Sequence, residues 1–223
     1  MVLIICEGAD KCGKSTLINN LEYYLDGIVF KSKSIKDASL SREEITKVEL
    51  QTLYQFYLLN KDKYIIIDRS IHTEFAYSKT FNRKTDLQTL QYFAELFNQE
   101  DVYLVYLDCK DEEEYKKRFK EEELIKYEDT KKIKEYYREA LRTLRINNTL
   151  EYDTSALDSK IIALDIMSFF QTEPISSVSK LKEKIKTEGQ KSKNTLELLN
   201  QNIKLLEFND EELLNYLKAN ELY

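Results

Sequence analysis

The sequence predicts an α/β fold in which helices cover both faces of a five-stranded parallel sheet, followed by a small helical appendage. Short apolar segments alternate with longer segments of helical periodicity along residues 1–170. The first, third and fourth apolar segments are almost continuously apolar, as expected of parallel strands covered on both faces. Around Pro174, the only proline, the pattern changes to polar segments with helical spacing.

Each element follows from a local pattern. The predicted strands are the apolar segments at residues 2–6, 28–30, 64–67, 102–107 and 149–152. The predicted helices lie at residues 14–25, 41–61, 70–79, 86–98, 111–122, 129–146 and 156–170. Ser41 and Glu44 form a capping-box pattern at the start of the second helix, and Asp111 can cap the fifth. Alternating strands and helices imply right-handed crossovers and a three-layer architecture.

The domain boundary is predicted near Pro174. Residues 1–174 form the predicted globular domain and residues 175–223 a helical C-terminal extension. Residues 175–193 are rich in Ser and Lys, whereas residues 194–207 and 209–220 show amphipathic helical spacing. Two interpretations stay open: these helices pack back on the parent domain, or they contact a protein partner.

Composition excludes several classes of protein. The 223 residues carry a net charge of −6, which argues against a nucleic-acid-binding surface. No apolar run approaches the roughly 20 residues of a membrane span, and the amino terminus lacks a basic leader pattern. The three cysteines, Cys6, Cys12 and Cys109, have no paired spacing. We therefore expect a cytoplasmic protein with reduced thiols and no membrane association.

A phosphate-binding loop lies between the first strand and the first helix. Gly8 to Ser15 reads Gly-Ala-Asp-Lys-Cys-Gly-Lys-Ser and matches the pattern G-x-x-x-x-G-K-[ST]. Its glycines let backbone N–H groups turn towards phosphates, and the next helix adds its positive end. Lys14 is expected to reach the β- and γ-phosphates, and the Ser15 hydroxyl to ligate Mg²⁺. The predicted ATP-binding residues are Gly8, Ala9, Asp10, Lys11, Cys12, Gly13, Lys14, Ser15 and Thr16, and the predicted cofactors are ATP and Mg²⁺.

Asp68 and Arg69 follow the third apolar strand directly. An aspartate at this strand end is a typical carboxylate ligand of Mg²⁺ beside a phosphate loop. The neighbouring guanidinium can clamp a second phosphate with two parallel hydrogen bonds. A GTPase is disfavoured because residues 60–63 end in lysine instead of the aspartate that reads guanine, and residues 68–71 lack the switch glycine. The sequence therefore predicts a P-loop nucleotide-binding protein of another class.

Two segments resemble thymidylate kinases. Residues 5–16 resemble their E-G-x-D-x-x-G-K-S-T opening, and residues 68–77 are similar to their D-R-[YFS]-x-x-[ST]-x-x-A-Y segment. Residues 149–155 look like their last strand and adenine-side loop, and residues 116–129 fall where their lid belongs. The resemblance covers about residues 1–170 and implies a three-layer P-loop kinase fold and the activity of a deoxynucleoside monophosphate kinase. It also implies a homodimer, since thymidylate kinases are commonly dimers.

The resemblance assigns roles to individual residues. Asp10 would hold the acceptor sugar or its phosphate, and Lys11 would neutralise charge during transfer. Arg69 would bind the acceptor 5′-phosphate, and Tyr77 would pack on the deoxyribose. One lid residue would close over ATP. The candidates for this lid residue are Arg118, Lys120 and Lys126. The predicted catalytic residues are Lys14, Asp10, Lys11, Asp68, Arg69 and Arg118.

The acceptor pocket departs from the thymidylate kinase pattern. Residues 31–40 lack the Glu-Pro-Gly-rich loop, and the second helix lacks the arginine that often lies near thymine. This helix instead looks like the Gln-bearing helix of deoxynucleoside kinases. Gln51 or Gln55 is the predicted base-reading residue, with Tyr54 or Phe56 stacking. The alternative is that both glutamines are ordinary surface residues.

Three functions follow from these motifs. The first is transfer of the ATP γ-phosphoryl group to the 5′-phosphate of a nucleotide such as dTMP. The second is a deoxynucleoside kinase acting on a free 5′-hydroxyl, which needs a carboxylate base near the end of the second strand. Only Asp37 is close to that position. The third is a non-catalytic ATP-binding regulator whose C-terminal extension contacts a partner.

Overall fold

A five-stranded, all-parallel sheet forms the centre of the protein, as predicted. The computed structural model describes residues 2–31, 40–60, 62–119 and 125–169. The strands are β1 (Leu3–Glu7), β2 (Ile28–Lys31), β3 (Ile65–Asp68), β4 (Val102–Asp108) and β5 (Asn148–Asp153). Their order is β2-β3-β1-β4-β5, and every neighbouring pair is parallel.

Seven helices lie among the described residues. They are α1 (Lys14–Leu25), α2 (Arg42–Leu59), α3 (Ile71–Thr80), α4 (Leu87–Asn98), α5 (Glu112–Lys117), α6 (Tyr127–Thr143) and α7 (Ser159–Ser168). The predicted capping box is confirmed, because the Ser41 hydroxyl accepts from the Glu44 N–H and the Glu44 carboxylate from the Ser41 N–H. Asp111 caps α5 as predicted. Helix α5 ends at Lys117, earlier than predicted, and residues 120–124 lie outside the described part of the chain.

Burial explains why the three middle strands are so apolar. Every residue of β1 is buried, and so are six of the seven residues of β4. Strands β2 and β5 lie at the edges of the sheet and are partly exposed. On one face of the sheet, Leu3 and Ile65 pack in a core cluster with Leu53 of α2 and Phe93 of α4. The edge strands can therefore tolerate polar residues that the central strands cannot.

The strand order also determines where a ligand can bind. Strand β1 lies between β3 and β4, and the carboxyl ends of these strands lie side by side, with Cys6 aligned with Asp68. Ligands of open α/β sheets bind outside the carboxyl ends of the strands, where the order of strands reverses. In this sheet that place is the end of β1, which leads directly into the predicted phosphate loop.

The chain divides into two compact units, Met1–Ile162 and Ala163–Tyr223. The first unit contains the sheet and helices α1–α6. In the second unit the structure describes residues 163–169, which form the later part of α7 and the residue after it. The predicted boundary near Pro174 and the predicted extension at 175–223 lie outside the described residues and stay predictions. Within the described ranges, no helix combines the length and the apolar character that crossing a membrane requires.

Candidate active site

The loop at residues 8–13 has the geometry of an anion-binding loop. Gly8 has a φ of 142°, and a Cβ added there would lie 2.3 Å from the Leu107 carbonyl oxygen. Gly13, with a φ of 85°, precedes α1, and no side chain caps the first N–H groups of this helix. Those N–H groups and the positive end of the helix dipole favour a bound anion. Gly8 is therefore required by space and backbone conformation, and Gly13 by backbone conformation.

Lys14 is buried inside this loop, with only 6% of its surface exposed. Its Nζ donates to the carbonyl oxygens of Gly8 and Ala9, each at 2.7 Å. Burial, followed by the nearby Arg69 cation, lowers the pKa of Lys14 to about 8. The ammonium group of Lys14 therefore loses its proton more easily than that of an ordinary lysine. Ser15 and Thr16, in the first turn of α1, are exposed.

Nucleotide affinity is expected to fall as the pH rises above about 8. A bound triphosphate favours the ammonium form of Lys14, so it raises the pKa of this residue above the value of about 8 that it has in the protein without a ligand. Binding above that pH therefore takes up a proton, and the affinity decreases by up to about tenfold per pH unit. Calorimetric titration with a non-hydrolysable ATP analogue between pH 7 and 9.5 measures the slope. Lys14→Met is expected to flatten it, whereas a pH-independent affinity of the wild type would contradict the assignment.

Asp10, Arg69 and Tyr77 come together beside the loop. The Asp10 carboxylate accepts from the Arg69 guanidinium and, at 2.7 Å, from the Tyr77 hydroxyl. The guanidinium carbon lies 5.1 Å from the centre of the Tyr77 ring. Burial raises the pKa of Asp10, but the Arg69 cation and the Tyr77 hydroxyl lower it below its ordinary value overall. Three residues that the sequence singled out, from two separate segments, thus form one hydrogen-bonded unit.

Glu7 fixes the segment that carries Arg69. This fully buried carboxylate at the end of β1 accepts from the Ser70 N–H at 2.7 Å and from the Thr73 N–H at 3.3 Å. The hydroxyls of Thr73 and Tyr137 donate to its other oxygen. The sequence alone assigns no function to Glu7. The available signal was a carboxylate that directly follows four apolar strand residues and precedes the first glycine of the loop.

Removing the Glu7 carboxylate is expected to destabilise the protein. Glu7→Ala leaves several buried donors without an acceptor, which costs about 3 kcal/mol of unfolding free energy. For a chain of this size the melting temperature would fall by roughly 6–12 °C. Differential scanning calorimetry measures the change. Glu7→Gln retains one acceptor oxygen and should lose less than half as much, so equal losses in the two variants would contradict this role.

Arg118 joins α5 to the phosphate loop and to the turn after β5. Its guanidinium donates to the Thr154 carbonyl oxygen at 2.8 Å, the Thr154 hydroxyl at 3.2 Å and the Lys11 carbonyl oxygen at 3.3 Å. The Tyr115 hydroxyl, in α5 itself, donates to the Asp10 carbonyl oxygen at 2.7 Å. Of the other lid candidates, Lys126 is exposed and Lys120 lies outside the described residues. Their assignment to the lid stays a prediction.

A cavity of about 280 Å³ lies beside Arg69, between α2 and the segment after β3. Its lining residues are Arg42, Thr46, Glu49, Leu50, Leu53, Asp68, Arg69, Ser70, Thr73 and Glu74. Gln51 and Gln55 are exposed, and neither is among these lining residues. Helical periodicity places both glutamines away from the face of α2 that borders the cavity. Their assignment as base-reading residues stays a prediction.

The donor set suits Mg²⁺ only together with a nucleotide. Within the described ranges, no cluster of three or more His, Cys, Asp or Glu residues is arranged to hold a metal ion. Mg²⁺ in kinase sites takes one or two carboxylates, with phosphate oxygens and waters completing its shell. The Ser15 hydroxyl and the Asp68 carboxylate fit this limited requirement chemically.

Comparison with known proteins gives matches to nucleotide-binding proteins. No protein-family model matches the chain. It is 31% identical over 170 residues to the SPbeta prophage-derived protein YorR of Bacillus subtilis, a match covering 75% of this chain and 98% of YorR. The crystal structure of YorR in complex with phosphorylated GDP matches with 28% identity and a TM-score of 0.61, over 75% of this chain and 94% of YorR.

Deoxyadenosine kinase from M. mycoides with bound dATP is a more distant match. It is 18% identical, with a TM-score of 0.51, over 76% of this chain and 98% of that enzyme. At this identity the likeness concerns the fold alone. Together these matches show that the chain shares the fold of YorR and of deoxyadenosine kinase.

Proposed function

This chain belongs to the same family as the prophage protein YorR, and we propose that it is an ATP-dependent deoxynucleoside monophosphate kinase. It would transfer the γ-phosphoryl group of ATP to the 5′-phosphate of the acceptor. The donor would occupy the loop between β1 and α1, and the acceptor nucleoside the cavity lined by α2 and the segment after β3.

The observation that carries this proposal is the position of Arg69. Its guanidinium is joined to Asp10 of the phosphate loop and also lines the neighbouring cavity. About 31% of the Arg69 side chain is exposed, so the cation is available to a ligand. A fixed guanidinium between the two compartments is suited to hold an acceptor phosphate beside the donor γ-phosphate. Phosphoryl transfer depends mainly on such positioning and on positive charge.

The other residues divide between binding and transfer. Lys14 and the N–H groups at the start of α1 would bind the donor phosphates and stabilise the charge that develops on the transferred group. Asp10 and Tyr77 would hold Arg69 in place, and Arg118 would contact the donor side of the loop. Mg²⁺, bound by Ser15 and Asp68, would neutralise phosphate charge.

The YorR structure supports a nucleotide ligand. That relative is described in complex with phosphorylated GDP, so a related chain with the same fold binds a phosphorylated nucleotide. A phosphorylated nucleotide suits both the donor position and the acceptor position. We therefore propose that both dTMP and the purine monophosphates be tested as acceptors.

A nucleoside kinase is the second candidate. Asp68 lines the cavity beside Arg69 and is a carboxylate able to take the proton from a 5′-hydroxyl. The base predicted for this reaction, Asp37, lies outside the described residues. The two reactions differ in whether the cavity must admit a phosphate next to Arg69 or a hydroxyl next to a carboxylate.

An acceptor screen tests the proposal. ADP release with ATP and Mg²⁺ is measured for each deoxynucleoside and its monophosphate, with Lys14→Met as the control for contaminating kinases. We expect turnover with at least one monophosphate well above the ATP hydrolysis background. Turnover with nucleosides alone would establish the second candidate. ATP binding without turnover on any acceptor would favour the non-catalytic regulator.

A further inference from the structure

We propose that the cavity beside Arg69 receives the base of the acceptor and selects an amino-bearing base, such as cytosine, adenine or guanine, over thymine or uracil. This inference rests on the proposed function, because it takes the cavity as the acceptor site. It differs from the expectation of dTMP that the thymidylate kinase resemblance implies.

One face of α2 forms a wall of the cavity. The residues of this wall recur at helical spacing, and they are Arg42, Thr46, Glu49, Leu50 and Leu53. Leu50 and Leu53 are buried and offer apolar surface to the flat face of a ring. The charged and hydroxyl-bearing residues precede them along the helix. A pocket with apolar surface and a few polar groups is typical of small-molecule sites.

Two hydroxyl groups at the cavity have unused hydrogen-bonding capacity. The Oγ1 of Thr46 and the Oγ of Ser70 are buried, and neither has a hydrogen-bond partner among the described residues. Ser70 precedes α3 at its N-cap position, yet its side chain does not cap the helix. Buried hydroxyls without partners are unfavourable in a folded protein. Both residues line the cavity, so a polar ligand there would supply the missing partners.

Around Arg42, the charged groups that line the cavity have an excess of hydrogen-bond acceptors. Glu74 is well satisfied, because the Arg42 guanidinium donates to both of its oxygens and the Ser78 hydroxyl donates at 2.9 Å. Glu49 contacts the same guanidinium only at 3.9 Å, and 18% of its side chain is exposed. One arginine therefore serves two carboxylates. The Glu49 carboxylate, which can only accept, is suited to a ligand that donates.

This asymmetry discriminates between bases. Cytosine, adenine and guanine each carry an exocyclic amino group whose N–H bonds can donate to the Glu49 carboxylate. Uracil and thymine can donate only through the single ring N3–H, which lies between two carbonyl oxygens, and one of these oxygens stands where cytosine has its amino group. A carboxylate that accepts from this N–H therefore also faces a carbonyl oxygen, and placing two acceptors together in a partly buried site is unfavourable. The wall therefore favours the amino-bearing bases.

The first test compares dCMP with dUMP, which differ at this amino group. We expect kcat/KM to be roughly 10- to 100-fold higher for dCMP in the wild-type protein. Glu49→Gln can turn an amide N–H towards the uracil oxygen, so this variant should reduce the preference by at least about tenfold. Glu43→Gln, on the same helix but outside the cavity lining, is the matched control and should retain the preference.

The second test concerns the hydroxyl of Thr46. Thr46→Val removes the hydroxyl at nearly constant volume, so we expect the acceptor KM to rise roughly 5- to 30-fold with the ATP KM unchanged. The melting temperature of the ligand-free variant should stay equal to that of the wild type or rise, because a buried hydroxyl without a partner is removed. Thr52→Val is the matched control: Thr52 is an exposed residue of α2 whose hydroxyl donates to the Val48 carbonyl oxygen.

The outcomes separate this inference from the proposed function. Turnover with monophosphates but an equal or higher kcat/KM for dUMP would overturn the base preference and leave the kinase intact. An unchanged acceptor KM in Thr46→Val, or a lowered melting temperature, would overturn the role of its hydroxyl. If no acceptor is phosphorylated, the proposed function fails, and calorimetric binding of dCMP and dUMP still measures the preference. Equal binding, or none, would then overturn the preference.

Discussion

Replacing Lys14 by methionine should lower kcat by a factor of about 10²–10³ or more, the usual loss when one donor to the transition state is removed. Lys14 is held inside the loop by the carbonyl oxygens of Gly8 and Ala9. Its ammonium group is therefore already positioned and largely desolvated before the phosphates arrive. An ammonium in such an environment interacts strongly with charge that develops during transfer.

Single-turnover phosphorylation of the acceptor found in the screen measures this loss. Methionine preserves most of the side-chain length, and a melting curve verifies that the loop still folds without the two hydrogen bonds. Lys14→Arg retains the charge but not the compact shape, so it should recover only part of the rate. Tight ATP binding by Lys14→Met would not weaken the prediction, since only interactions gained in the transition state accelerate chemistry. A wild-type kcat would contradict it.

Replacing Arg69 by alanine should raise the acceptor KM by roughly 10- to 150-fold, the range expected when a hydrogen bond to a charged group is lost. The effect has two sources. The acceptor phosphate loses its guanidinium, and the Asp10 carboxylate loses the partner that holds it beside the loop. Because Asp10 is partly buried, an uncompensated charge there disturbs the loop as well. The KM for ATP should change much less than the acceptor KM.

Steady-state kinetics with each substrate varied in turn measures the two constants. Arg69→Lys keeps the charge but not the planar pair of donors, so we expect an intermediate acceptor KM. Arg83→Ala is a suitable control, because Arg83 is exposed and its guanidinium lies over the Phe81 ring, 5.1 Å from its centre. An acceptor KM that Arg69→Ala leaves unchanged would refute the assignment of Arg69 to the acceptor phosphate.

Features encoded by neighbouring residues were predictable from the sequence. The buried strands are continuous apolar runs, and the loop from Gly8 to Ser15 carries its glycines, lysine and serine at fixed spacing. The same holds for the capping box that begins at Ser41 and for the cap at Asp111. In each case, residues at most a few positions apart in the chain determine the local geometry, so the pattern indicates the structure directly.

Features that depend on how elements pack were not predictable in this way. Arg42 and Glu74 are 32 residues apart, and their pairing requires the packing of α2 against α3. The choice between the glutamines and Glu49 as residues facing the cavity depends on the rotation of α2 about its own axis. That rotation is determined by the buried positions Leu50 and Leu53, and the polar spacing of the helix does not reveal it. The burial of Glu7 likewise depends on Thr73 and Tyr137, which lie far along the chain.

The contacts of Asp10 have a consequence for how substitutions combine. Its carboxylate binds Arg69 and Tyr77, and its backbone carbonyl oxygen binds Tyr115. Residues that share one partner lose the same interaction whichever of them is replaced, so their effects on free energy do not add. Asp10→Asn and Tyr77→Phe combined should therefore cost less than the sum of the two single variants. Evolution would therefore tolerate substitutions at these positions chiefly when several of them occur together. Replacing one of these residues at a time would be a poor way to search for improved variants of the protein.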